Sequence, residues 1–101
     1  MIYISHRGNI QGALPEKENH PDYIAEALTK DFNVEIDVWY DNKKWILGHD
    51  TPQYEINIHF LYNTFLWCHA KNIEALKEMS TRGMHCFWHQ SDDVVLTSQG
   101  Y

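Results

Sequence analysis

An α/β fold with parallel strands and one hairpin return strand is what three features of this sequence predict. Strand-like and helix-like stretches alternate in the order β-α-β(β)-β-α-β-β. The stretch Asn33 to Tyr40 alternates with a period of two, Val34, Ile36 and Val38 one way and Glu35, Asp37 and Trp39 the other. Polar side chains collect just past the strand ends, at His6-Arg7, Asp37, His49, His69-Lys71 and His89, the places where parallel α/β sheets carry their chemistry.

Taken in order, Ile2 to Ser5 reads as a short buried strand that stops at His6-Arg7-Gly8. Asn9 to Glu18 holds Gly12 and Pro15 and reads as a loop. Pro21 opens a helix where its missing N–H costs nothing, with His20 as a weak N-cap and Tyr23, Ile24, Ala27 and Leu28 as the apolar stripe. The helix ends near Lys30-Asp31, and the Glu35/Asp37 strand follows, giving a right-handed βαβ unit. Asp41 to Lys44 turns the chain into Trp45-Ile46-Leu47-Gly48. A turn centred between Asn42 and Lys43 sets Asp37 opposite Gly48 and brings His49-Asp50 beside the acidic end of the strand. Thr51 to Phe60 is an ambiguous loop with room for one helical turn. Thr64 to Lys71 is the next strand, with Trp67, His69 and Lys71 on one face. Asn72 caps a helix using Ile73, Leu76 and Met79, with Arg82 near its end and Gly83 as its stop. Met84 to His89 is a further strand, and Asp93 to Thr97 begins another. Trp67, Trp88, Phe87 and Cys86 read as core, and His20, His59, His85 and His89 as structural or surface residues. Ser91-Asp92-Asp93 reads as a solvated loop.

The chain has 101 residues, enough for one domain with a modest core. Its net charge of −6 and its lack of any basic cluster beyond Lys43-Lys44 argue against a nucleic-acid partner or an anionic membrane surface. No run approaches the roughly 18 apolar residues of a membrane span, and Met1 to Ser5 is too short for a signal peptide. Cys68 and Cys86 sit inside apolar runs and read as free buried thiols, which points to a reducing, cytoplasmic setting. Seven histidines are many for this length, and histidine is both the commonest metal ligand and the commonest acid–base side chain.

Glu35 and Asp37, two residues apart on one strand face, are costly to bury unless something neutralises them, and hard cations take oxygen ligands. Alone they read as solvated charges; with His6 and His49 brought to the same strand end they read as metal ligands. His69 is open between a core histidine and a ligand. Lys71, on the His69 face, is a candidate anion binder.

Together, His6-Arg7-Gly8, Pro15 with Glu18-Asn19, Glu35-Ile36-Asp37-Val38 and His49-Asp50 resemble the glycerophosphodiester phosphodiesterase family, whose motifs H-R-G, P-E-N, E-[ILV]-D and H-D come in that order at similar spacing. The match is tight over the first half and loose through Trp67 to Lys71, where the family carries E-x-K. The resemblance implies a metal-dependent phosphodiesterase hydrolysing glycerophosphodiesters or related phospholipid-headgroup esters. His6 and His49 would be its acid–base pair, and Arg7 and Lys71 its phosphate binders. Glu35 and Asp37 would be metal ligands, with Glu18, Asn19 and Asp50 in support. The family's third carboxylate ligand is replaced by His69, which softens the site: Mg²⁺, Ca²⁺ or Mn²⁺ is the implied cofactor, with Zn²⁺ also suited. The alternative is a weakened or inactive phosphoester- or metal-binding domain of the same fold. A full (β/α)8 barrel needs roughly 250 residues. The expectation is therefore a single domain over residues 1–101 that forms a partial, half TIM-type barrel, incomplete at its C-terminus. Its partner is a small phosphodiester, and homo-oligomerisation would cover its open edge.

Overall fold

The structure, a computed structural model, describes residues 3–12, 14–84, 86–88 and 96–97. Its elements are β1 (Ile4–His6), α1 (Pro21–Thr29), β2 (Asn33–Asp41), β3 (Lys44–Leu47), β4 (Tyr54–Ile56), a 3₁₀ turn (Ile58–Tyr62), β5 (Leu66–Ala70), α2 (Ile73–Thr81), β6 (Cys86–Trp88) and β7 (Leu96–Thr97). They build a mixed α/β fold in which one open sheet runs β4-β3-β2-β5-β6-β7 and β1 adds to β2. β1, β2, β5 and β6 are mutually parallel; β3, β4 and β7 are the antiparallel additions. Among the described residues the sheet does not close.

β2 is the organising strand because it serves three neighbours. One edge pairs with β5 over five positions, from Val34↔Leu66 to Val38↔Ala70. The other edge is divided: β1 takes its first part, to His6↔Glu35, and β3 takes its last part, from Val38↔Leu47 to Asp41↔Lys44. That handover leaves a gap in the ladder at Ile36 and Asp37, bridged by the Gly48 N–H donating to the Asp37 carbonyl at 3.1 Å. A Cβ on Gly48 would lie 1.9 Å from the Thr51 carbonyl oxygen, so only glycine fits this crossing.

Alternation along the strands decides the layers. Val34, Ile36 and Val38, with Leu66, Cys68, Ala70 and Cys86, join Ile24, Ala27, Ala75 and Met79 of the two helices in one buried cluster. The register puts Glu35 beside Trp67 and Asp37 beside His69 on the opposite face. The hairpin turn, Asn42-Lys43, has both residues at positive φ, 50° and 64°, the two-residue geometry that matches strand twist. The hairpin register is the one expected from the sequence.

His20 caps α1, its Nδ1 accepting from the Asp22 N–H at 3.1 Å; Asn72 caps α2 through the Ala75 N–H at 2.9 Å. Several expectations are corrected. Ile4 is 47% exposed, because β1 lies at an edge; Ile2 lies outside the described residues. Residues 51–60, expected as an ambiguous loop with room for one helical turn, do begin a 3₁₀ turn at Ile58 but also carry the strand β4. β5 begins at Leu66, with Phe65 exposed in the preceding turn. Ile73, 61% exposed, is the first residue of α2 and points away from the stripe that Ala75 and Met79 bury. Trp67 is half-buried on the Glu35 face rather than in the core. His85, His89, residues 91–95 and the Trp88 side chain lie outside what is described.

Candidate active site

The site forms where β1 ends at His6 and β5 nears its end at Ala70, against the middle of β2: Glu35 and Asp37, expected past a strand end, lie inside a strand that runs on to Asp41. Arg7, the residue after β1, adopts a left-handed backbone (φ 57°) and is pinned on both sides. Its N–H donates to the Glu35 carbonyl at 2.7 Å, and its carbonyl accepts from the Asn19 N–H at 3.0 Å. A left-handed arginine is strained by roughly 1 kcal/mol, and strain of this kind collects at functional sites. Gly8 (φ 93°) completes the turn; a Cβ there would meet the Tyr23 ring at 2.8 Å.

Asp37 is the centre. Its side chain is almost fully buried, and protein donors reach both of its oxygens. Asn19 Nδ2 donates to Oδ2 at 2.9 Å while Asn19 Oδ1 accepts the Asp37 backbone N–H at 2.9 Å. Arg7 Nε lies 3.1 Å from the same Oδ2, an ion-pair contact whose N–H is off-line for a hydrogen bond. His69 Nδ1 meets Oδ1 at 3.1 Å, and its ring stacks on Phe87 at 4.9 Å between centroids. Burial pushes the Asp37 pKa up, but the hydrogen bonds from His69 and Asn19 and the charge of Arg7 outweigh it and hold the carboxyl below its ordinary value.

The other expected residues fall around this centre. His6 Nε2 lies 3.0 Å from Glu35 Oε1, and His49 Nδ1 lies 2.8 Å from Asp50 Oδ1. An ionised carboxylate only accepts. His6 therefore keeps Nδ1 for other chemistry, and His49 keeps Nε2. Glu18 receives Arg7 Nη1 at 3.0 Å on one oxygen and Asn9 Nδ2 at 2.8 Å on the other. A cleft of about 280 Å³ is lined by Arg7, Pro15, Glu18, Asn19, His49, Asp50, Thr51 and Gln53. Lys71 follows β5, its backbone N–H donating to the Val38 carbonyl at 2.8 Å. So His6, Arg7, Glu18, Asn19, Glu35, Asp37 and His69 form one connected cluster, and His49 and Asp50 face it across the cleft. Among the described residues, no hydrogen bond or ion pair joins His49 to Asp37, Glu35 or His6.

Glu35, Asp37 and His69 fit a divalent cation in donor type and in sharing one face. Glu35 and Asp37 accept from protein donors instead, His69 being one of Asp37's, and among the described residues no three His, Cys, Asp or Glu side chains surround a common point. Asn9 is the member that sequence reasoning missed. Besides bonding Glu18, its Oδ1 accepts from the Tyr23 hydroxyl at 3.1 Å and the Leu14 N–H at 3.2 Å. Its signal was an asparagine following a glycine in a strand-end turn.

No protein-family model matches the chain, and no curated protein or solved structure matches it.

Proposed function

We propose that the chain is a phosphodiester hydrolase of the glycerophosphodiester phosphodiesterase kind, its sheet a segment of the barrel that this family builds. The observation that carries the reading is the gathering of His6, Arg7, Glu35, Asp37 and His69 on three adjacent parallel strands, at the ends of β1 and β5 and the middle of β2, with His49 lining the same cleft as Arg7.

A phosphodiester is an anion with a poor leaving group. Its hydrolysis needs donors on the non-bridging oxygens, a base for the attacking water and an acid for the departing alcohol. Arg7 and Lys71 supply the donors. His6 Nδ1 and His49 Nε2 supply the acid–base pair: one takes the water proton as the new P–O bond forms, and the other protonates the alcohol oxygen as the old bond breaks. Glu35 orients His6 and Asp50 orients His49. A divalent cation held by Glu35, Asp37 and His69 would neutralise charge on the phosphoryl oxygens. The products are an alcohol and a phosphomonoester.

One observation favours a second reading, a phosphoester-binding domain without turnover: Asp37 already bonds to Asn19 and His69. Glycerophosphodiester turnover, measured with chelator and then with Mg²⁺, Ca²⁺, Mn²⁺ and Zn²⁺ in parallel, decides between the two. Turnover that chelator removes and that the His6→Ala, His49→Ala double variant lacks supports the enzyme. Turnover no greater than that variant's leaves the binding domain. A cyclic phosphate product would mean a lyase instead of a hydrolase.

A further inference from the structure

We propose that a second cleft, between the β2–β3 hairpin and the end of α2, is a binding site for a small aromatic acid, a single ring bearing a carboxylate. It shares no lining residue with the cleft of Arg7 and His49, and the proposal does not rest on the phosphodiesterase reading.

Alternation places this cleft. Tyr40 continues the series Val34, Ile36 and Val38, so it turns to the helix side of the sheet, away from Asp37 and His69. There the Tyr40 and Trp45 rings meet at 4.5 Å between centroids, and Ile56 and Ile58 extend the apolar wall. Trp45 is buried and the other three are partly buried against the core, so packing fixes the wall before any ligand arrives. The cleft holds about 350 Å³. That is the lower end of the roughly 300–1,000 Å³ of small-molecule sites, whose usual build is an apolar wall with a few polar groups. It suits a ligand of one ring.

The mouth supplies charge. Of the chain's eight lysines and arginines, three line this one cleft: Lys43 in the hairpin turn, Lys44 beside it and Arg82 after α2. Glu55 is the one acid lining it among the described residues. Glu55 lies 3.7 Å from Lys44, and Glu78, outside the lining, lies 3.7 Å from Arg82. Both pairs are long and open to solvent, and such pairs are weak. Asp41 stands opposite Lys44 in the hairpin and does not line the cleft. Lys43 has no ion pair among the described residues. It also holds a left-handed backbone, φ 64°, that glycine takes freely and lysine does not. The turn gains nothing from lysine there; what the side chain supplies is a positive charge at the mouth. Lys43 offers a point charge and Arg82 a planar fork that matches a carboxylate. The net charge of −6 favours a ligand with one negative charge over one with two, because long-range repulsion scales with the ligand's charge. A ring on the Tyr40/Trp45 wall, with its carboxylate at Lys43 and Arg82, meets each of these conditions.

The test titrates the full chain with benzoate, with acetate (the charge without the ring) and with benzyl alcohol (the ring without the charge), read by amide and indole NMR shifts. Benzoate should move the Trp45 indole and the amides of Lys43, Lys44, Ile58 and Arg82, and should bind more tightly than either of the other probes. Lys43→Gly and Arg82→Gln should each weaken benzoate about five-fold and leave benzyl alcohol unchanged. Lys43→Gly relaxes the turn, so weaker binding in that variant is not a folding defect. Lys30→Gln removes one positive charge away from the cleft and should not alter benzoate binding. Benzoate shifts centred on Arg7, Asn19 and His49, benzoate binding no tighter than acetate or benzyl alcohol, or equal affinity in wild type, Lys43→Gly and Arg82→Gln overturns the proposal. So does a loss in Lys30→Gln as large as in those two variants.

Discussion

Asp37 shows how much a single buried carboxylate organises. Asn19 answers both its backbone N–H and its Oδ2, as a paired amide would, and is itself fully buried at a left-handed φ of 65°. Asn19→Ala would strand a buried N–H and weaken the hold on a buried charge, so it should cost about 3 kcal/mol in urea unfolding. A loss under about 1 kcal/mol would mean that Asp37 finds other partners. The same bonds give a pH dependence of definite sign. Asp37 and Glu18 have folded pKa values below their ordinary 3.8 and 4.5, so the folded state binds fewer protons than the unfolded one. Their stabilisation is full above those values and is lost as pH falls through them and then through the lower folded values. Stability should hold from pH 7 to 5 and drop below about 4.5. Asp37→Asn and Glu18→Gln should be less stable than wild type at pH 7, with the gap closing at pH 3. At this scale the sequence announced the participants and not the bonds. His6, Arg7, Glu18, Asn19, Glu35, Asp37 and His69 were all legible as site residues. That Arg7 turns onto Glu18 and Asp37 was not, because it depends on a backbone conformation, φ 57°, that arginine does not advertise.

At the scale of elements, β2, the hairpin and both helix caps were legible, because each rests on local chemistry: alternation, a two-residue turn, a capping side chain. What escaped was β4, a short piece ordered by pairing with β3 rather than by its own pattern, and the bounds of the 3₁₀ turn, which are set by docking on the core. Two predictions follow from the local devices. Lys43 occupies a left-handed position that glycine takes freely, so Lys43→Gly, making an Asn-Gly turn, should stabilise the chain by about 0.5–1 kcal/mol. No gain in unfolding free energy would show that the turn is set by the strands instead. Asn72 serves two elements. Its Oδ1 takes the Ala75 N–H of α2 and also lies 3.3 Å from the Tyr40 N–H, and its Nδ2 donates to the Tyr40 carbonyl at 3.1 Å. Asn72→Ala should therefore cost more than a lost cap, about 2–3 kcal/mol, while Asn72→Ser should recover about 1 kcal/mol of it by capping alone. Equal losses in the two variants would place the whole effect in the staple to β2.

The whole molecule sets a field that its site must work against. The chain carries a net charge of −6, and its candidate substrate is an anion. The local cations, Arg7 and, on the proposed reading, Lys71, act within a few ångströms, whereas the net charge acts at the range over which a substrate approaches. Salt separates the two, because the Debye length shrinks from about 30 Å at 0.01 M to about 10 Å at 0.1 M. Screening at that range removes the long-range repulsion while leaving the close contacts to Arg7, shielded by Glu18 and Asp37, largely intact. The kcat/KM for a glycerophosphodiester should accordingly rise about two-fold or more between 10 and 150 mM salt, opposite to the fall seen when an enzyme steers its substrate in. The rise should shrink for a neutralised surface, as in Glu74→Gln with Glu78→Gln on α2, residues that do not line the cleft. A rate that falls with salt in the wild type would mean that the cations at the strand ends dominate the approach as well as the grip.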